Sequence, residues 1–165
     1  MTREEFLIKV SQIPGLYVPA LYDVTYHEDG TIASFGPKYE EVPKTILKQV
    51  VTDMSSAVYP EKPVVSYMKV TQDRVVLEIM RGCIRGCRFC QAGMLYRPTR
   101  ERDVDRLKEY AHAMLKNTGH EEISLSSLSS SDYTYLEELL TFLIDEFKGE
   151  GINISLPSLR IDAFS

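Results

Sequence analysis

Three cysteines carry the strongest chemical signal in the sequence. Cys83, Cys87 and Cys90 are the only cysteines in the chain, and they follow a Cys-x3-Cys-x2-Cys spacing. Three is an odd number, and the three are clustered, so the disulfide framework of a small secreted domain explains them poorly. Thiolates are soft ligands that favour iron–sulfur clusters or zinc over magnesium or calcium. The spacing therefore predicts a metal centre held by these three residues.

The residues around the cysteines favour such a centre. Gly82 and Gly86 allow the backbone to fold tightly, and they bring amide N–H groups close to sulfur. Arg81, Arg85 and Arg88 are expected to stabilise thiolates and to offset the negative charge of a thiolate-bound cluster. The composition of the loop thus agrees with the metal centre that its cysteines predict.

Alternative roles for the three cysteines stay open. Cysteines are often simply buried small apolar residues. A structural zinc site has four protein ligands, and the fourth would have to be His27, His112 or His120, none of which has a recognised spacing from the loop. Closed iron–sulfur centres also take four cysteines. Three ligands leave one metal with an open position, which is typical of a catalytic centre.

Regular alternation of strands and helices begins at about residue 73. Hydrophobic periodicity predicts strands at 74–80, 122–126 and 152–156 and amphipathic helices at 104–116 and 133–147. Parallel neighbours need long connections, so this order predicts an α/β fold with a parallel sheet. Sites in such sheets form at the carboxyl ends of the strands, and the cysteine cluster directly follows the first strand.

Residues 1–72 are interpreted as an accessory or linker region. A short capped helix is expected after Thr2 and ends before Pro14, and a β-hairpin is expected around the turn at Gly30. Frequent prolines divide the rest into short pieces. We expect this region to be small and irregular, of the α+β type.

Composition excludes several functional classes. The chain has 165 residues, is 44% hydrophobic and has a formal net charge of -5. This charge argues against a protein that mainly neutralises nucleic-acid phosphates or lies on an anionic membrane. No apolar run approaches 18 residues, and acidic residues occupy the N-terminus, unlike in a signal peptide. We therefore expect a cytoplasmic protein with no membrane partner.

The cysteine spacing, with Phe89 just before the third cysteine and a strand and a helix on either side, resembles the signature of the radical S-adenosylmethionine (radical SAM) enzymes. The stretch 77–102 is similar to an uncharacterised, cobalamin-associated branch of that family. The resemblance implies that residues 73–165 are the N-terminal half of a partial (βα) barrel. It also implies an incomplete core, which would need the second half of the barrel or a partner chain.

The resemblance further implies a cofactor and a reaction. Cys83, Cys87 and Cys90 would bind three irons of a 4Fe-4S cluster, and the fourth iron would chelate S-adenosylmethionine. Reductive cleavage would release a 5′-deoxyadenosyl radical that abstracts hydrogen from the substrate. The electron donor would be a protein such as flavodoxin or ferredoxin. Cobalamin would take part in the full-length family context, and an RNA or a protein is open as the substrate.

Four further residues are implied to contact S-adenosylmethionine. Phe89 would lie against the adenine, and Ser127 and Ser129 stand where the family receives the methionine amino group, although the letters there differ from the family's Gly-Gly-Glu-like segment. Arg160 stands where relatives place an arginine that faces the methionine carboxylate.

The assignments of the two serines and of Arg160 have alternatives. The serine-rich run would instead cap the second helix through Ser131 or Asp132, and Arg160 would be a solvated surface residue. The basic run 97–102 is interpreted as a solvated loop before a helix cap at Asp103, with a phosphate or RNA contact as the alternative. The competing function for the chain is a non-catalytic binding or assembly module stabilised by zinc or by an iron–sulfur cluster.

Overall fold

The computed structural model describes residues 1–163, and these fold as two compact units. The first unit is Met1–Val50, and the second begins at Val51. The predicted division at residue 72 stays a prediction. The last two residues of the predicted core region 73–165 lie outside the described residues.

The first unit contains the expected helix and hairpin. Helix α1 (Arg3–Val10) begins with a capping box, in which the Thr2 hydroxyl accepts from the Glu5 backbone N–H at 3.2 Å and the Glu5 carboxylate accepts from the Thr2 N–H. Strands β1 (Tyr22–Tyr26) and β2 (Ile32–Pro37) pair antiparallel. The small core of this unit consists of Leu21, Tyr22 and Val42.

The second unit is built on a parallel sheet. Its strands are β3 (Val75–Glu78), β6 (Glu122–Ser126) and β7 (Asn153–Ser155), in the spatial order β3-β6-β7. Helix α3 (Val104–Thr118) connects the first two of these strands and helix α4 (Leu136–Glu146) connects the last two. The predicted α/β arrangement with a parallel sheet is therefore confirmed.

Apolar periodicity explains how these layers pack. Helix α3 turns one face toward β3 and also packs against α4, because its apolar residues recur at helical spacing. The centre of the core consists of fully buried aliphatic side chains from these helices and from two of the strands: Val75, Leu77, Leu107, Ile123, Leu125, Leu139 and Leu143. The Asp103 side chain caps α3, as predicted, by accepting from the backbone N–H groups of Asp105 and Arg106.

Two short elements and a tight turn were not predicted. Strands β4 (Met80–Arg81) and β5 (Arg100–Glu101) pair antiparallel and enclose a loop that contains the short helix α2 (Ala92–Leu95). A 3-10 turn at Ser130–Asp132 precedes α4. The predicted helix at 133–147 therefore begins later, at Leu136. None of the helices within residues 1–163 combines the length and the apolar composition needed to cross a bilayer.

Candidate functional site

The cysteine loop lies between β4 and α2. Cys83, Cys87 and Cys90 are all unpaired and half-buried. The sulfur of Cys83 accepts the Arg85 backbone N–H at 3.4 Å, and the Cys90 N–H donates to the Cys87 carbonyl at 3.0 Å. A backbone N–H directed at sulfur stabilises a thiolate, so part of the predicted amide environment is present.

Gly82 begins this loop with a left-handed backbone at a φ of +85°. A Cβ at this position would lie 2.6 Å from the Tyr96 carbonyl oxygen and 2.8 Å from that of Pro98. The end of the loop therefore folds back onto its beginning. At Gly86, by contrast, a Cβ would meet only the Arg97 guanidinium, at 3.9 Å, so the structure requires a glycine at the first of these positions and not at the second.

Two of the three arginines around the cysteines form ion pairs with carboxylates, which the sequence did not predict. Arg81 makes two hydrogen bonds to Glu78, at 2.6 and 2.9 Å. Arg85 makes a bidentate ion pair with Asp132. Arg88 is the one of the three that is exposed without such a carboxylate partner among the described residues. The expectation that the three arginines offset the charge of a cluster stays a prediction.

Asp132, in the loop after β6, is held in its ionised form. The hydrogen bond from Arg85 is the main cause that lowers the pKa of Asp132, and the hydrogen bond from Ser129 adds to this effect while burial opposes it. The Ser129 hydroxyl donates to Asp132 Oδ2 at 2.7 Å. This carboxylate thus stands between the cysteine loop and the serine-rich loop and is bonded to both.

The serine-rich loop does not cap α4. Tyr135 occupies the cap position and makes no side-chain hydrogen bond there, so the alternative that assigned the cap to Ser131 or Asp132 is wrong. Ser127 instead shares a hydrogen bond with the Ser130 hydroxyl at 2.9 Å, and Ser130 donates to the Pro157 carbonyl at 2.7 Å. These bonds fasten the loop after β6 to the loop after β7.

Arg160 lies on the loop after β7 and is only partly solvated. Its guanidinium makes two hydrogen bonds to Asp162, at 3.0 and 2.5 Å, and its side chain is 30% exposed. The arginine also lowers the pKa of Asp162 through these hydrogen bonds. Its backbone N–H donates to the Ser131 hydroxyl at 3.1 Å. Arg160 is therefore tied to its own loop and to the serine-rich loop, unlike a freely solvated arginine.

Phe89 projects away from the protein. Its side chain is 93% exposed, on the cysteine loop between the second and third cysteines. Its predicted contact with adenine stays a prediction. A ring this exposed has no packing role within residues 1–163.

The three loops meet at one edge of the sheet. The strands β3, β6 and β7 are parallel, so their carboxyl ends share an edge. The Arg85–Asp132 pair joins the first loop to the second, and the bonds from Ser130 to Pro157 and from Arg160 to Ser131 join the second to the third. The predicted residues of the serine-rich loop and Arg160 are thereby brought beside the cysteine loop.

Sequence reasoning missed a buried arginine. Arg102 falls within the run 97–102 that is predicted to be a solvated loop, but its side chain is 1% exposed. It donates to the Glu78 and Met54 carbonyls and lies over the rings of Tyr59 and Tyr110, at 4.7 and 5.6 Å from their centroids. Most of its partners are more than 20 positions distant in the sequence, so no local pattern could have identified its burial.

The three thiols of the loop are suitable ligands for a soft metal centre, although their sulfur atoms do not converge on a common point. Within residues 1–163 no three His, Cys, Asp or Glu side chains stand close enough together to hold a metal ion. Three unpaired thiols on one loop nonetheless form a donor set suited to an iron–sulfur cluster. Cluster ligation by Cys83, Cys87 and Cys90 stays a prediction.

The histidines have other partners. His112 contacts Glu146 at 3.4 Å and lies edge-on to Phe142, and His120 contacts Asp73 at 3.4 Å. Neither of these contacts involves the cysteine loop. The zinc alternative, which requires a fourth ligand, stays a prediction.

Comparison with known proteins gives a family match over the second unit. The Radical SAM superfamily matches residues 77–164. An uncharacterized protein of Methanocaldococcus jannaschii is 34% identical over a comparison of 127 residues that covers 72% of this chain and 28% of that protein. A second protein of the same organism, named "Putative methylthiotransferase", is 31% identical over a comparison of 96 residues that covers 53% of this chain and 21% of that protein. The matched segment thus spans less than a third of either relative.

Proposed function

Because the chain belongs to the radical SAM superfamily, we propose that Cys83, Cys87 and Cys90 hold a 4Fe-4S cluster whose fourth iron binds S-adenosylmethionine. When bound, this group would supply the electron that breaks the bond between the sulfonium sulfur and the 5′ carbon of S-adenosylmethionine, which releases methionine and a 5′-deoxyadenosyl radical. The observation that carries the proposal is the set of three unpaired, half-buried thiols on one loop that follows the first strand of a parallel sheet.

The chain's own residues prepare the loop for this role. The Arg85 backbone N–H donates to the Cys83 sulfur at 3.4 Å, so a hydrogen-bond donor already faces this ligand atom. Gly82 allows the loop to return on itself. A fourth protein ligand is absent from the loop, which leaves one coordination position for a cosubstrate.

The residues proposed to contact S-adenosylmethionine stand at the same edge of the sheet. Ser127 and Ser129 are proposed to receive the methionine amino group, and Arg160 to face its carboxylate. The Ser129 hydroxyl oxygen can accept from the amino group while its O–H still donates to Asp132, and Arg160 would exchange its present acceptor, Asp162, for the carboxylate. The exposed ring of Phe89 is available to lie against the adenine.

The larger assembly and the substrate are also proposals. We infer that the parallel sheet is part of a partial (βα) barrel and that the electron donor is a protein such as flavodoxin or ferredoxin. The substrate class remains RNA or protein, and methylthio transfer, the activity in one relative's name, is a candidate outcome. We also propose cobalamin as a cofactor of the full-length proteins of this family.

Anaerobic reconstitution with iron and sulfide tests the proposal. Wild-type protein is expected to bind about four irons per chain, and its EPR spectrum after reduction is expected to change when S-adenosylmethionine is added. Cys87→Ala should abolish cluster binding and leave the fold intact, because the loop lies outside the sheet. Gln91→Ala, an exposed position just past the third cysteine, is the matched control and should bind iron normally.

Two results would contradict the proposal. If the EPR spectrum of the wild-type protein does not change when S-adenosylmethionine is added, the proposed enzymatic function is wrong. Zinc rather than iron in aerobically purified protein, together with unfolding of Cys87→Ala, would establish the competing structural module.

A further inference from the structure

A single ion pair connects the cysteine loop to the loop that follows β6. Arg85 stands between the first two cysteines, and its Nε donates to Asp132 Oδ2 at 3.0 Å while its Nη2 donates to Oδ1. A bidentate pair of this kind fixes orientation as well as distance. The loop is therefore held at its middle as well as at its ends.

The carboxylate is the fixed end of this pair. The side chain of Asp132 is 5% exposed, whereas that of Arg85 is 42% exposed. Ser129 holds Asp132 twice, through its hydroxyl at 2.7 Å and through its carbonyl, which accepts the Asp132 N–H at 3.0 Å. Asp132 is thus held in place at the edge of the sheet, and the cysteine loop is attached to it through Arg85.

The main chain of the loop is held at the same residue. The Arg85 carbonyl accepts from Arg97 Nη2 at 3.1 Å, and Arg97 Nε donates to the Gly93 carbonyl at 2.9 Å. Gly93 has no side chain to intrude here, and a Cβ on it would lie 3.2 Å from the Arg85 carbonyl oxygen. Loosening Arg85 should therefore loosen the whole segment from Cys83 to Arg97.

We propose that Asp132 is a positioning residue that, through Arg85, docks the cysteine loop on the carboxyl edge of the sheet in the arrangement from which its thiols bind the cluster. The inference rests on the proposed function for the purpose of the docking. The docking itself is a property of the chain without a cluster. Asp132 is assigned no contact with the cluster or with S-adenosylmethionine.

Hydrogen–deuterium exchange of the cluster-free protein tests the docking directly. Asp132→Asn keeps the shape of the side chain and removes its charge, and exchange in peptides covering residues 83–97 is expected to become roughly tenfold faster. Glu109→Gln is the matched control, because Glu109 forms an exposed ion pair with Arg106 on helix α3. In Glu109→Gln, hydrogen–deuterium exchange of the peptides covering residues 83–97 should proceed at the wild-type rate.

Cluster retention supplies the second measurement. Reconstituted Asp132→Asn should lose iron to a chelator several times faster than wild-type, and adding Arg85→Ala should produce little further change, since both substitutions remove the same pair. If Asp132→Asn proves too unstable to purify, Ser129→Ala serves instead. It removes the support of the carboxylate and should accelerate exchange in the same peptides to a smaller degree.

The outcomes separate this inference from the proposed function. Unchanged exchange in 83–97, or an equal increase in every peptide of the chain, would overturn the positioning role. Normal iron retention by a variant whose loop exchanges faster would also overturn it. A wild-type chain that takes up no cluster would refute the proposed function, and the exchange comparison would still decide whether Asp132 orders the loop.

Discussion

Gly82 is the residue on which the shape of the cysteine loop most depends. Its φ of +85° is one that residues with a Cβ rarely adopt. The atoms that a Cβ would strike are the main-chain oxygens of Tyr96 and Pro98. Main-chain atoms cannot rotate away as a side chain can, so relief would require a shift of the whole loop.

Gly82→Ala is therefore expected to destabilise the second unit by about 1–3 kcal/mol and to reduce cluster uptake. Thermal unfolding and iron content after reconstitution measure the two effects. Gly86→Ala is the control, because it is a glycine of the same loop with room for a Cβ, and it should stay within about 0.5 kcal/mol of wild-type. Equal stabilities of the two variants would contradict the steric argument.

Arg102 links several elements of the second unit. It follows β5, and its guanidinium bonds to the Glu78 carbonyl at the end of β3 and to the Met54 carbonyl. Its own carbonyl accepts from the Tyr133 hydroxyl at 2.8 Å. A buried cation requires such partners, and here they keep the end of β3 beside the start of α3, directly before the cysteine loop.

Arg102→Met tests this link. The substitution keeps an apolar stem but leaves the carbonyl groups without their donor, and we expect a loss of about 2–4 kcal/mol in the free energy of unfolding. Arg106→Met, on the exposed side of α3, should cost less than about 1 kcal/mol. Denaturant unfolding gives both values, and similar losses would show that burial of Arg102 contributes little.

For the whole molecule, low pH should reduce the free energy of unfolding, in part because Asp132 becomes protonated. Its pKa lies below its usual value of 3.8 because of the hydrogen bond from Arg85. A carboxylate whose pKa is lower in the folded state stabilises the fold above the unfolded pKa, and this contribution is lost as pH falls through the folded value. The loss is therefore confined to pH values below about 4.

Comparison of wild-type with Asp132→Asn checks this sign. The difference in the free energy of unfolding should be constant between pH 5 and 7, at about 1–3 kcal/mol, and should shrink as the pH is lowered toward 3. Denaturant titrations at each pH measure it. A difference that persists unchanged at pH 3 would mean that the ionisation of Asp132 does not contribute.

Local patterns predicted most of the second unit. Apolar periodicity predicted α3 because this helix buries one face. The strand pattern predicted β6 with its observed bounds, and this strand is buried on both faces, since Ser124 is buried as well as Ile123 and Leu125. Periodicity carries no information about pairs distant in the chain. It therefore missed the two-residue ladder of β4 and β5, and the burial of Arg102.

The candidate site also combines features that the sequence predicted with features that only the structure shows. Residue type and spacing alone determined that three thiols lie on one loop and predicted a soft metal centre there, because ligand softness is a property of the side chain itself. Only the tertiary structure decided what surrounds that loop. It paired Arg85 with Asp132 across 47 positions and joined the Arg160 backbone N–H to the Ser131 hydroxyl across 29 positions, since such partners are set by which loops the parallel strands bring to one edge.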